Sequence, residues 1–583
     1  MSPVCLIPAR GGSKGLSGKN LRTVGGVSLV GRAVLSARDF TRLAGLRDLP
    51  IVVDTDSEAI AEEARRWGAQ VPFLRPPELA SDSTPTADSS LAALDRLAAG
   101  GTDVADVILL QPTSPLREGA DVLACWHGYD RVRCPSVVSL TGTEHPPDVA
   151  LTRMPSGAVT WSGGGEPARR RQDSADAYWP SGAVYVISLE LLRRERKFIV
   201  PEVTRGVILP RERSVDVDSA EDLAEAEARL EARPARPFSL GSRAVGAGHP
   251  CLVIAEAGVN HNGDVEMAHR LVDVAADSGA DAVKFQTFEP ERLVSPLARK
   301  AEYQVANTGS SESQLEMLRR LVLPREALAP LAAHAAERKL LFLSTPFDES
   351  SADALDDLGM CAFKVPSGEV TNHPLVAHVA AKGKPVLMST GMATLGEVAE
   401  AVQVVREHGD PPLALFHCVT SYPAAAADCN LRAIGSMRAA FGVPVGWSDH
   451  TEGIQVSLAA VAASASLLEK HFTLDRRLPG PDHLASLEPG ELTALVKAVR
   501  EIESALGDGV KRPAAAELAN VSAARRSLHA ARPLPAGHVL QAADLVALRP
   551  GTGLPPAIRD RLVGRTLKAA VGRGEMLAER HLD

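Results

Sequence analysis

Two histidines in the middle of the chain have a spacing and a setting suited to metal binding. His450 stands in the segment SDHT and His471 in EKHFT, and two polar residues separate each from an apolar run typical of a buried strand. Since neighbouring parallel strands end close together, the two imidazoles could share one divalent ion, with water and substrate in the open positions. A single histidine at such a place is more often a structural residue, but two on adjoining strands favour the metal site.

Further polar residues end other apolar runs of the same segment. Over residues 251–473, the polar residues at or near the ends of eight such runs are Glu256, Asn260, His261, Lys284, Gln286, Thr345, Lys364, Ser367, Glu369, Ser389, His417, His450, Lys470 and His471. Two buried ammonium groups are costly without an anion between them, so Lys284 and Lys364 predict an anionic ligand. The alternative is that each lysine extends past apolar surface into solvent.

A glycine-rich, basic loop near the start of the chain, IPARGGSKGLSGKN, indicates phosphate binding. Gly11, Gly12 and Gly15 allow backbone N–H groups to approach an anion. The neutralising charge would come from Arg10, Lys14 and Lys19. The loop is not a Walker A motif, because Asn20 follows Lys19, and it lacks the G-x-G-x-x-G spacing of dinucleotide-binding loops. The alternative is a solvated turn.

Two aspartates in the segment VDVD are candidates for a second metal site. If the segment is extended, Asp216 and Asp218 project from the same face. Carboxylate oxygens are the ligands that a hard cation such as Mg²⁺ prefers. The alternative is an exposed strand edge that caps the helix beginning near Ser219.

The order of elements predicts which folds position these residues. Eight apolar runs alternate with helical stretches over residues 249–508, which predicts a closed (β/α)8 TIM barrel with its chemistry at the C-terminal strand ends. Residues 1–231 alternate strands and helices in the manner of an open, mostly parallel sheet. A Pro- and Gly-rich stretch, 232–248, reads as a linker, and residues 520–583 as a small β-rich domain.

Composition excludes several classes of function. A chain of 583 residues requires more than one domain, and a net charge of −9 argues against nonspecific nucleic-acid binding. Seven scattered cysteines without CxxC spacing indicate neither a disulfide framework nor a zinc site. No secretory signal pattern or membrane-length apolar run is evident, so we expect a cytoplasmic protein without nucleic-acid or membrane partners.

The first domain resembles the CMP-sialic acid synthetases. The matching segments are IPARGGSKGLSGKNL, TDSEAIAEEARRWGAQVPFLRPPELASD, LLQPTSPLR, YWPSGAVYVI and VDVDSAEDL. The resemblance implies an N-acylneuraminate cytidylyltransferase, which transfers CMP from CTP to an acidic sugar with Mg²⁺ at Asp216 and Asp218. The other residues that it implies in catalysis or binding are Arg10, Gly11, Gly12, Lys19, Asn20, Arg75, Gln111, Arg171 and Gln172.

The barrel segment resembles the sialic acid synthases in IAEAGVNHNG, VKFQTF, STPF, KVPSGE, STGM, SDHT, EKHFTLDR and GPDHLAS. The resemblance implies condensation of phosphoenolpyruvate with N-acetylmannosamine or a relative, with Mn²⁺ or another divalent ion at His450 and His471. It implies Glu256 as general acid or base, and Lys284 and Lys364 as partners of the phosphoenolpyruvate anion. The implied substrate-binding residues are Gln286, Thr345, Ser367, Glu369, Ser389, Thr420, Tyr422 and Asp482.

The C-terminal segment resembles the SAF, or antifreeze-like, domain that follows the barrel in these synthases. The resemblance implies a lid over the active site of a second copy, with Arg549 near the N-acyl group of the sugar, and hence a homodimer or a larger homo-oligomer.

The predicted function is therefore bifunctional: synthesis of N-acetylneuraminate, and its activation to CMP-sialic acid. One alternative is the same two steps on legionaminic or another nonulosonic acid. The other is a scaffold or regulatory protein whose catalytic residues have decayed. Three departures from the family motifs, Ser181, Pro366 and Thr420, leave the sugar open.

Overall fold

The computed structural model describes residues 2–12, 15–46, 48–81, 83–143, 150–161, 176–301, 304–305, 307 and 312–583. The chain divides into two compact units, Met1–Ala505 and Leu506–Asp583. No helix among the described residues is long and apolar enough to cross a membrane. All seven cysteines are free thiols.

The first 250 residues contain a mixed β-sheet with helices packed against it. The strands are β1 (Ser2–Pro8), β2 (Thr23–Val24), β3 (Val27–Ser28), β4 (Ile51–Asp54), β5 (Val104–Leu109), β6 (Ser136–Gly142), β7 (Leu151–Arg153), β8 (Val159–Trp161), β9 (Tyr178–Ser188), β10 (Arg205–Ile208), β11 (Phe238–Leu240) and β12 (Arg243–Val245). The helices are α1 (Leu29–Leu43), α2 (Glu58–Arg66), α3 (Thr86–Ala99), α4 (Gly119–Gly128), α5 (Leu189–Glu195) and α6 (Ala220–Glu231).

Six of these strands form the main sheet in the order β10-β6-β9-β5-β1-β4. The pairs β1–β4, β1–β5 and β6–β10 are parallel, which confirms the mostly parallel sheet, whereas β9 runs antiparallel to both β5 and β6. Strand β5 in the interior of the sheet and strand β4 at its edge are both buried along their whole length, as expected for strands covered on both faces. The segments after β1 and β5 carry the predicted ligand-binding residues Arg10, Lys19, Asn20 and Gln111, and Arg75 lies between α2 and α3.

The predicted eight-stranded barrel is confirmed. Its strands are β13 (Leu252–Gly258), β14 (Ala282–Thr287), β15 (Leu341–Pro346), β16 (Phe363–Val365), β17 (Val386–Ser389), β18 (Leu413–Cys418), β19 (Val445–Asp449) and β20 (Leu467–His471). The described helices of this part are α7 (Val265–Asp277), α8 (Pro290–Leu293), α9 (Gln314–Leu321), α10 (Leu328–Glu337), α11 (Glu349–Asp357), α12 (His373–Ala380), α13 (Leu395–Glu407), α14 (Ala433–Phe441), α15 (Gln455–Ala462) and α16 (Pro489–Leu506).

All ladders of the barrel are parallel, in the order β15-β14-β13-β20-β19-β18-β17-β16, and β15 lies in contact with β16. Parallel strands joined by helices place every strand end on one rim, so the polar residues at those ends converge. The hairpin β11–β12 lies within the stretch predicted as a linker. Its Leu240 and Val245 are fully buried in one cluster with barrel residues such as Leu252 and Phe416, so this stretch packs against the barrel.

The sheet and the barrel share an apolar core along one seam. Helix α1 contacts α13, and α6 contacts α14. Arg32 is buried and its Nη2 donates to the backbone oxygen of Ala439, at 3.4 Å. At Gly25, whose φ is +56°, an added Cβ would lie 2.7 Å from the Cβ of Ala439. The two parts of this unit are therefore packed together through buried side chains.

The second unit has its own core and elements. These are α17 (Ala515–Ala524), β21 (Ser527–Ala530), β22 (Leu545–Leu548) and α18 (Arg559–Leu562). Strands β21 and β22 pair antiparallel. The carboxylate of Asp544 is buried beneath them and accepts hydrogen bonds from Arg532, His538 and the backbone N–H of Gln541. Arg549 directly follows β22 and is exposed.

Candidate active sites

A cavity of about 360 Å³ opens at the C-terminal ends of the barrel strands. The structure brings together here all the barrel residues implied in substrate or metal binding. They are Glu256, Lys284, Gln286, Thr345, Lys364, Ser367, Glu369, Ser389, Thr420, Tyr422, His450, His471 and Asp482. The sequence distance between the first and last of them exceeds 200 residues, so only the closed barrel explains their proximity.

Lys284 and Lys364 form the cationic centre of this cavity, and both are buried. The Nζ atom of Lys284 lies 2.9 Å from Oε2 of Glu256 and donates to Oγ1 of Thr345, also at 2.9 Å. Lys364 donates to the hydroxyl of Ser389 at 2.7 Å. Hydroxyl groups thus fix both ammonium groups at the strand ends without neutralising them.

A carboxylate joins the two lysines. The Oε2 atom of Glu469 lies 3.7 Å from Nζ of Lys284, and its Oε1 lies 3.4 Å from Nζ of Lys364. Ser448 donates a hydrogen bond to the same Oε1, at 3.0 Å. Glu469 therefore bridges the two cations, and Glu256 is a second acid that lies beside Lys284.

Burial and charge set different pKa values for the two glutamates. Burial raises the pKa of Glu256 to about 7, although Lys284 opposes the shift. Burial would also raise the pKa of Glu469, but the ammonium groups of Lys284 and Lys364 outweigh it and lower that pKa to about 2. Near neutral pH, Glu469 is therefore ionised, while Glu256 can both give and take a proton.

The two predicted metal ligands lie close together in the cavity lining. The ring centroids of His450 and His471 are 5.5 Å apart, and Tyr422 packs against both rings. Nδ1 of His450 lies 2.7 Å from the backbone oxygen of Val419, which fixes a proton on Nδ1 and leaves Nε2 with a lone pair. Nδ1 of His471 is buried without a hydrogen-bond partner, and Oδ2 of Asp482 lies 4.0 Å away.

The chemistry of these groups fits a divalent ion. Burial lowers the pKa of His450 to about 4 and lowers the pKa of His471 as well, so both imidazoles are neutral and can coordinate. Burial raises the pKa of Asp482 to about 6. Among the described residues, no group of three or more His, Cys, Asp or Glu side chains is arranged to hold a metal.

One side of the cavity is apolar. We call this surface the apolar wall. It consists of Val259, Phe288, Leu293, Val294, Met317, Leu318, Leu321 and Phe347. The rings of Phe288 and Phe347 meet edge to face with centroids 5.9 Å apart. The remaining cavity surface carries the lysines, glutamates and histidines described above, so the cavity has distinct polar and apolar sides.

A second cavity, of about 260 Å³, lies at the carboxyl edge of the N-terminal sheet. Its lining includes Arg10, Lys19, Asn20, Arg75 and Gln111, which are residues that the family resemblance implied. The side-chain amide of Asn20 donates to the backbone oxygen of Arg10 at 2.9 Å, which closes the glycine-rich loop upon itself. This basic lining suits a polyphosphate.

The two aspartates of the predicted second metal site lie beside this cavity. The segment is extended but is not paired in a ladder, and Asp216 and Asp218 are exposed while the intervening Val217 is buried. Oδ1 of Asp218 lies 2.9 Å from Nζ of Lys19. The surrounding protein partly removes water from the Asp216 carboxylate and so raises its pKa, although a hydrogen bond with Thr113 opposes the shift. Two carboxylates on one side of an extended segment fit a hard cation.

Comparison with known proteins places the chain in a family. Residues 271–511 match the NeuB family model, residues 4–117 the Cytidylyltransferase model and residues 525–583 the SAF domain model. The N,N'-diacetyllegionaminic acid synthase of Campylobacter jejuni is 44% identical over 330 residues, which cover 56% of this chain and 99% of that protein. The chain belongs to the NeuB family.

Two further relatives of this NeuB-family chain carry related names. The N,N'-diacetyllegionaminic acid synthase of Legionella pneumophila is 44% identical, covering 59% of this chain and 98% of that protein. The human N-acetylneuraminate-9-phosphate synthase is 35% identical, covering 58% of this chain and 95% of that protein. The chain therefore joins a cytidylyltransferase domain to a NeuB-type synthase and a SAF domain.

Four residues of the NeuB-type barrel that were expected to converge with the others do not line its cavity. Asn260 donates to Phe472 and Ser486 in the packed shell, and Nε2 of His417 lies 2.8 Å from the backbone oxygen of Cys429. His261 and Lys470 are also buried outside the cavity, and Lys470 forms an ion pair with Asp449 at 3.2 Å. Lys470 stands between Glu469 and His471, and alternate residues of a strand point to opposite faces.

Some predicted residues of the cytidylyltransferase domain are placed differently. The backbone N–H of Gly11 donates to Asp56 at 2.7 Å, and Gly12 has open space around it. Arg171 and Gln172 lie outside the described residues. The hydroxyl of Ser181, the departure from the family motif, donates to Ser139 at 2.6 Å. The Ser181 hydroxyl could donate to a ligand only if that hydrogen bond broke, although it could still accept one.

Two features of the synthase cavity were not predicted from the motifs. Glu469 precedes His471 by two residues in EKH, so strand alternation alone could have placed it on the inner face. The apolar wall draws on α9 and on the residues beyond three strand ends, and α9 reads as an ordinary amphipathic helix. No sequence signal distinguishes a helix face that covers a cavity from one that covers a core.

Proposed function

We propose that the chain carries out two consecutive steps of nonulosonic acid biosynthesis. The barrel condenses phosphoenolpyruvate with an N-acylated mannose-type sugar and releases phosphate. The N-terminal domain then transfers CMP from CTP to the acid and releases pyrophosphate. The observation that carries the proposal is the cavity in which two buried lysines, a protonatable glutamate and two neutral histidines meet at the barrel strand ends.

The lysine pair is proposed to bind the phosphoenolpyruvate anion. Lys284 and Lys364 are buried cations in the cavity lining, and Thr345 and Ser389 hold their ammonium groups in place. Charge-assisted hydrogen bonds from two ammonium groups suit the phosphate and carboxylate of this donor. Ser367 lies beside them and accepts a hydrogen bond from the backbone N–H of Gly391.

Glu256 is proposed to move the protons of the condensation. Carbon 3 of the enol phosphate attacks the aldehyde carbon of the sugar, and the aldehyde oxygen gains a proton. Water then adds to carbon 2 with loss of a proton, and phosphate leaves. With a pKa of about 7 and a position 2.9 Å from Lys284, Glu256 can supply one proton and accept the other. Gln286 is within 3.4 Å of Glu256 and is proposed to orient the sugar with Asp482.

His450 and His471 are proposed to hold a divalent ion, Mn²⁺ in the first instance. When bound, such an ion supplies a Lewis acid that polarises the sugar aldehyde. The hydrogen bond from His450 to Val419 fixes the tautomer that coordination requires. Glu369, Thr420 and Tyr422 line the same cavity and are proposed to contact the sugar.

In the N-terminal domain, Arg10 and Lys19 are proposed to neutralise the phosphates of CTP, with Asn20, Arg75 and Gln111 holding the nucleotide. Asp216 and Asp218 are proposed to hold Mg²⁺. Gly11, Gly12, Arg171 and Gln172 remain proposed ligand contacts. The ion pair between Lys19 and Asp218 would then exchange for contacts of each group with a ligand of opposite charge.

The SAF unit is proposed to cover the barrel cavity of a second copy in a homodimer, with Arg549 contacting the N-acyl group. Its exposed position after β22 leaves the guanidinium available for such a contact. Replacing Arg549 with alanine should raise the KM for the sugar more than that for phosphoenolpyruvate. A sedimentation measurement showing only monomers at assay concentrations would contradict the dimer.

Two sugars are candidates for the first step: N-acetylmannosamine, and 2,4-diacetamido-2,4,6-trideoxymannose, which leads to legionaminic acid. The 44% identity to two enzymes named as N,N'-diacetyllegionaminic acid synthases supports the second. The decisive experiment incubates the purified chain with phosphoenolpyruvate, each sugar, CTP, Mg²⁺ and Mn²⁺, and measures phosphate and pyrophosphate. Release of both supports the proposal. Release of neither with any sugar would favour a decayed scaffold.

A further inference from the structure

Arg117 is a buried cation to which the two proposed reactions give no role. It ends the loop of residues 111–117, which follows β5 and begins with Gln111. We propose that Arg117 is a positioning residue of the cytidylyltransferase domain, which fixes this loop and thereby the proposed Mg²⁺ ligand Asp216. The inference rests on the proposed CMP transfer and adds to it a residue that acts through others.

The guanidinium of Arg117 joins three elements of the domain. Its Nη1 donates to the backbone oxygen of Gln111 at 2.9 Å and to that of Ala183 in β9 at 2.8 Å. Its Nε donates to the hydroxyl of Ser36 in α1 at 3.0 Å. The last residue of the loop therefore binds the first, and the same group attaches the loop to β9 and α1.

These hydrogen bonds hold a charge that lacks a direct counter-charge. Burial lowers the pKa of Arg117 to about 10, although Asp121 opposes the shift, so the guanidinium stays charged at neutral pH. Among the described residues, no carboxylate forms an ion pair with it, and its Nη2 is buried without a hydrogen-bond partner. The carboxylate of Asp121 is bound to Arg213 instead, at 2.8 Å. A buried charge without a counter-charge costs free energy, so stabilisation of the fold alone does not account for a guanidinium here.

The loop that Arg117 fixes holds the segment that carries Asp216. The backbone N–H of Val217 donates to the backbone oxygen of Thr113 at 2.7 Å. The side chain of Thr113 also forms a hydrogen bond with the carboxylate of Asp216. Since this segment pairs with no strand in the described part of the chain, the loop sets its position.

The bond to β9 places a nucleotide contact in the same arrangement. Gly182 precedes Ala183 and has a φ of +74°. A Cβ atom on Gly182 would lie 3.0 Å from Oε1 of Gln111 and 3.7 Å from Oδ1 of Asp216. The backbone of Gly182 therefore lies against both side chains. By holding Ala183 and the Gln111 backbone together, Arg117 fixes the spacing between a proposed nucleotide contact and a proposed metal ligand.

Arg117→Lys should weaken CTP binding mainly when Mg²⁺ is present. Lysine keeps the charge but lacks the planar fork that binds the Gln111 and Ala183 oxygens together with Ser36. Isothermal titration calorimetry of the full-length chain with CTP, with and without Mg²⁺, measures the effect. We expect the Kd for CTP to rise by about 10-fold or more with Mg²⁺ and to change little without it, because residues that support a metal ligand contribute about 10- to 100-fold to metal affinity. The Mg²⁺ concentration for half-maximal pyrophosphate release should rise by a similar factor.

Thr113→Val tests the same connection without disturbing the buried charge. It removes the hydroxyl bound to Asp216 and keeps the volume of the side chain, so it should show the same loss that depends on Mg²⁺. If Arg117 acts through this loop, the effects of Arg117→Lys and Thr113→Val should not add in the double variant.

Arg131→Met is the matched control, because Arg131 binds the buried carboxylate of Asp106 in the first half of β5, away from Gln111. It should lower the melting temperature and leave the effect of Mg²⁺ on CTP binding unchanged. Phosphate release by the barrel and the melting temperature show that each variant is folded.

Two results would overturn the inference while leaving the proposed transfer intact. One is an equal weakening of CTP binding by Arg117→Lys with and without Mg²⁺, and the other is no weakening at all. A wild-type chain that neither binds CTP nor releases pyrophosphate would instead reject the transfer, and the inference with it.

Discussion

The Nζ atom of Lys284 lies 2.9 Å from Oε2 of Glu256, and both side chains are buried at the ends of adjacent barrel strands. These strands, β13 and β14, pair in a register that sets Glu256 opposite Lys284. The ion pair is therefore built by backbone hydrogen bonds rather than by flexible loops. The group proposed to exchange protons and the group proposed to hold an anion are thus fixed side by side.

Replacing Lys284 with methionine should stop the first reaction and spare the second. The variant removes the charge proposed to bind phosphoenolpyruvate, so phosphate release should fall by about 100- to 1,000-fold. Pyrophosphate release from CTP and added nonulosonic acid should be unchanged. Lys384→Met is the control, because Lys384 pairs with Asp356 away from the cavity. A Lys284→Met enzyme with ordinary phosphate release would contradict the assignment.

Replacing Glu469 with glutamine should affect both stability and turnover. It leaves two buried ammonium groups without the carboxylate that they share, which should lower the free energy of unfolding by about 3 kcal/mol. Because a negative charge near the donor is also lost, the KM for phosphoenolpyruvate should not rise, while kcat should fall as both lysines lose their fixed positions. Urea denaturation and steady-state kinetics measure the two effects.

Ser448→Ala provides the comparison for this residue, since it removes only one neutral donor to Glu469. Ser448→Ala should lower the free energy of unfolding by about 1 kcal/mol. If the glutamine variant were as stable and as active as the alanine variant, the bridging role of Glu469 would be rejected.

The packing of the seam between sheet and barrel can be tested by substituting alanine for each of two glycines. Both Gly25 and Gly45 have a positive φ, at +56° and +69°, but only Gly25 lies against a barrel helix. Gly45→Ala should lower the free energy of unfolding by about 1 kcal/mol, because alanine is strained in this backbone conformation. Gly25→Ala should cost about 1 to 3 kcal/mol more, because its Cβ would crowd Ala439, Leu230 and Arg32. Equal melting temperatures would show that the seam is loosely packed.

The second unit should be acid-sensitive through Asp544. Burial would raise the pKa of Asp544, but hydrogen bonds from His538, the Gln541 backbone and Arg532 outweigh it and lower the pKa. A folded-state pKa below the unfolded value stabilises the unit above about pH 4, and the stabilisation is lost as pH falls through the folded-state pKa. Asp544→Asn should cost about 2 kcal/mol at neutral pH and flatten this pH dependence.

Scanning calorimetry of the full chain between pH 3 and 7 measures this effect. Asp560→Asn is the control, because Asp560 is 85% exposed and its pairing with Arg559 contributes little. If the pH dependence of stability persisted unchanged in Asp544→Asn, other titratable groups would be its cause.

The barrel could be predicted from sequence because each of its strands is a short apolar run that ends in a polar residue. The same runs gave the cavity residues, since parallel strands end on one rim. The prediction was wrong for Asn260, His261 and Lys470, which are buried outside the cavity, and for half-buried His417, which also does not line it. Strand alternation from His471 could have excluded Lys470, whereas Asn260 and His261 lie in the loop after β13, where alternation does not apply.

The apolar wall and the seam could not be predicted for a different reason. Both depend on contacts between residues that are far apart in the chain, such as Val259 with Leu321 and Arg32 with Ala439. Their residues have ordinary helix and loop patterns. The antiparallel direction of β9 was missed because an apolar strand has the same composition in either direction.

The shared core along α1 and α13 also has an evolutionary meaning. A fusion joined by a loose tether could exchange its parts with those of other enzymes one at a time. Here the buried faces of both parts are matched, so a substitution on one side constrains the residues tolerated on the other. Synthesis of one polypeptide also yields the two catalytic modules in a fixed one-to-one ratio, independent of separate expression levels.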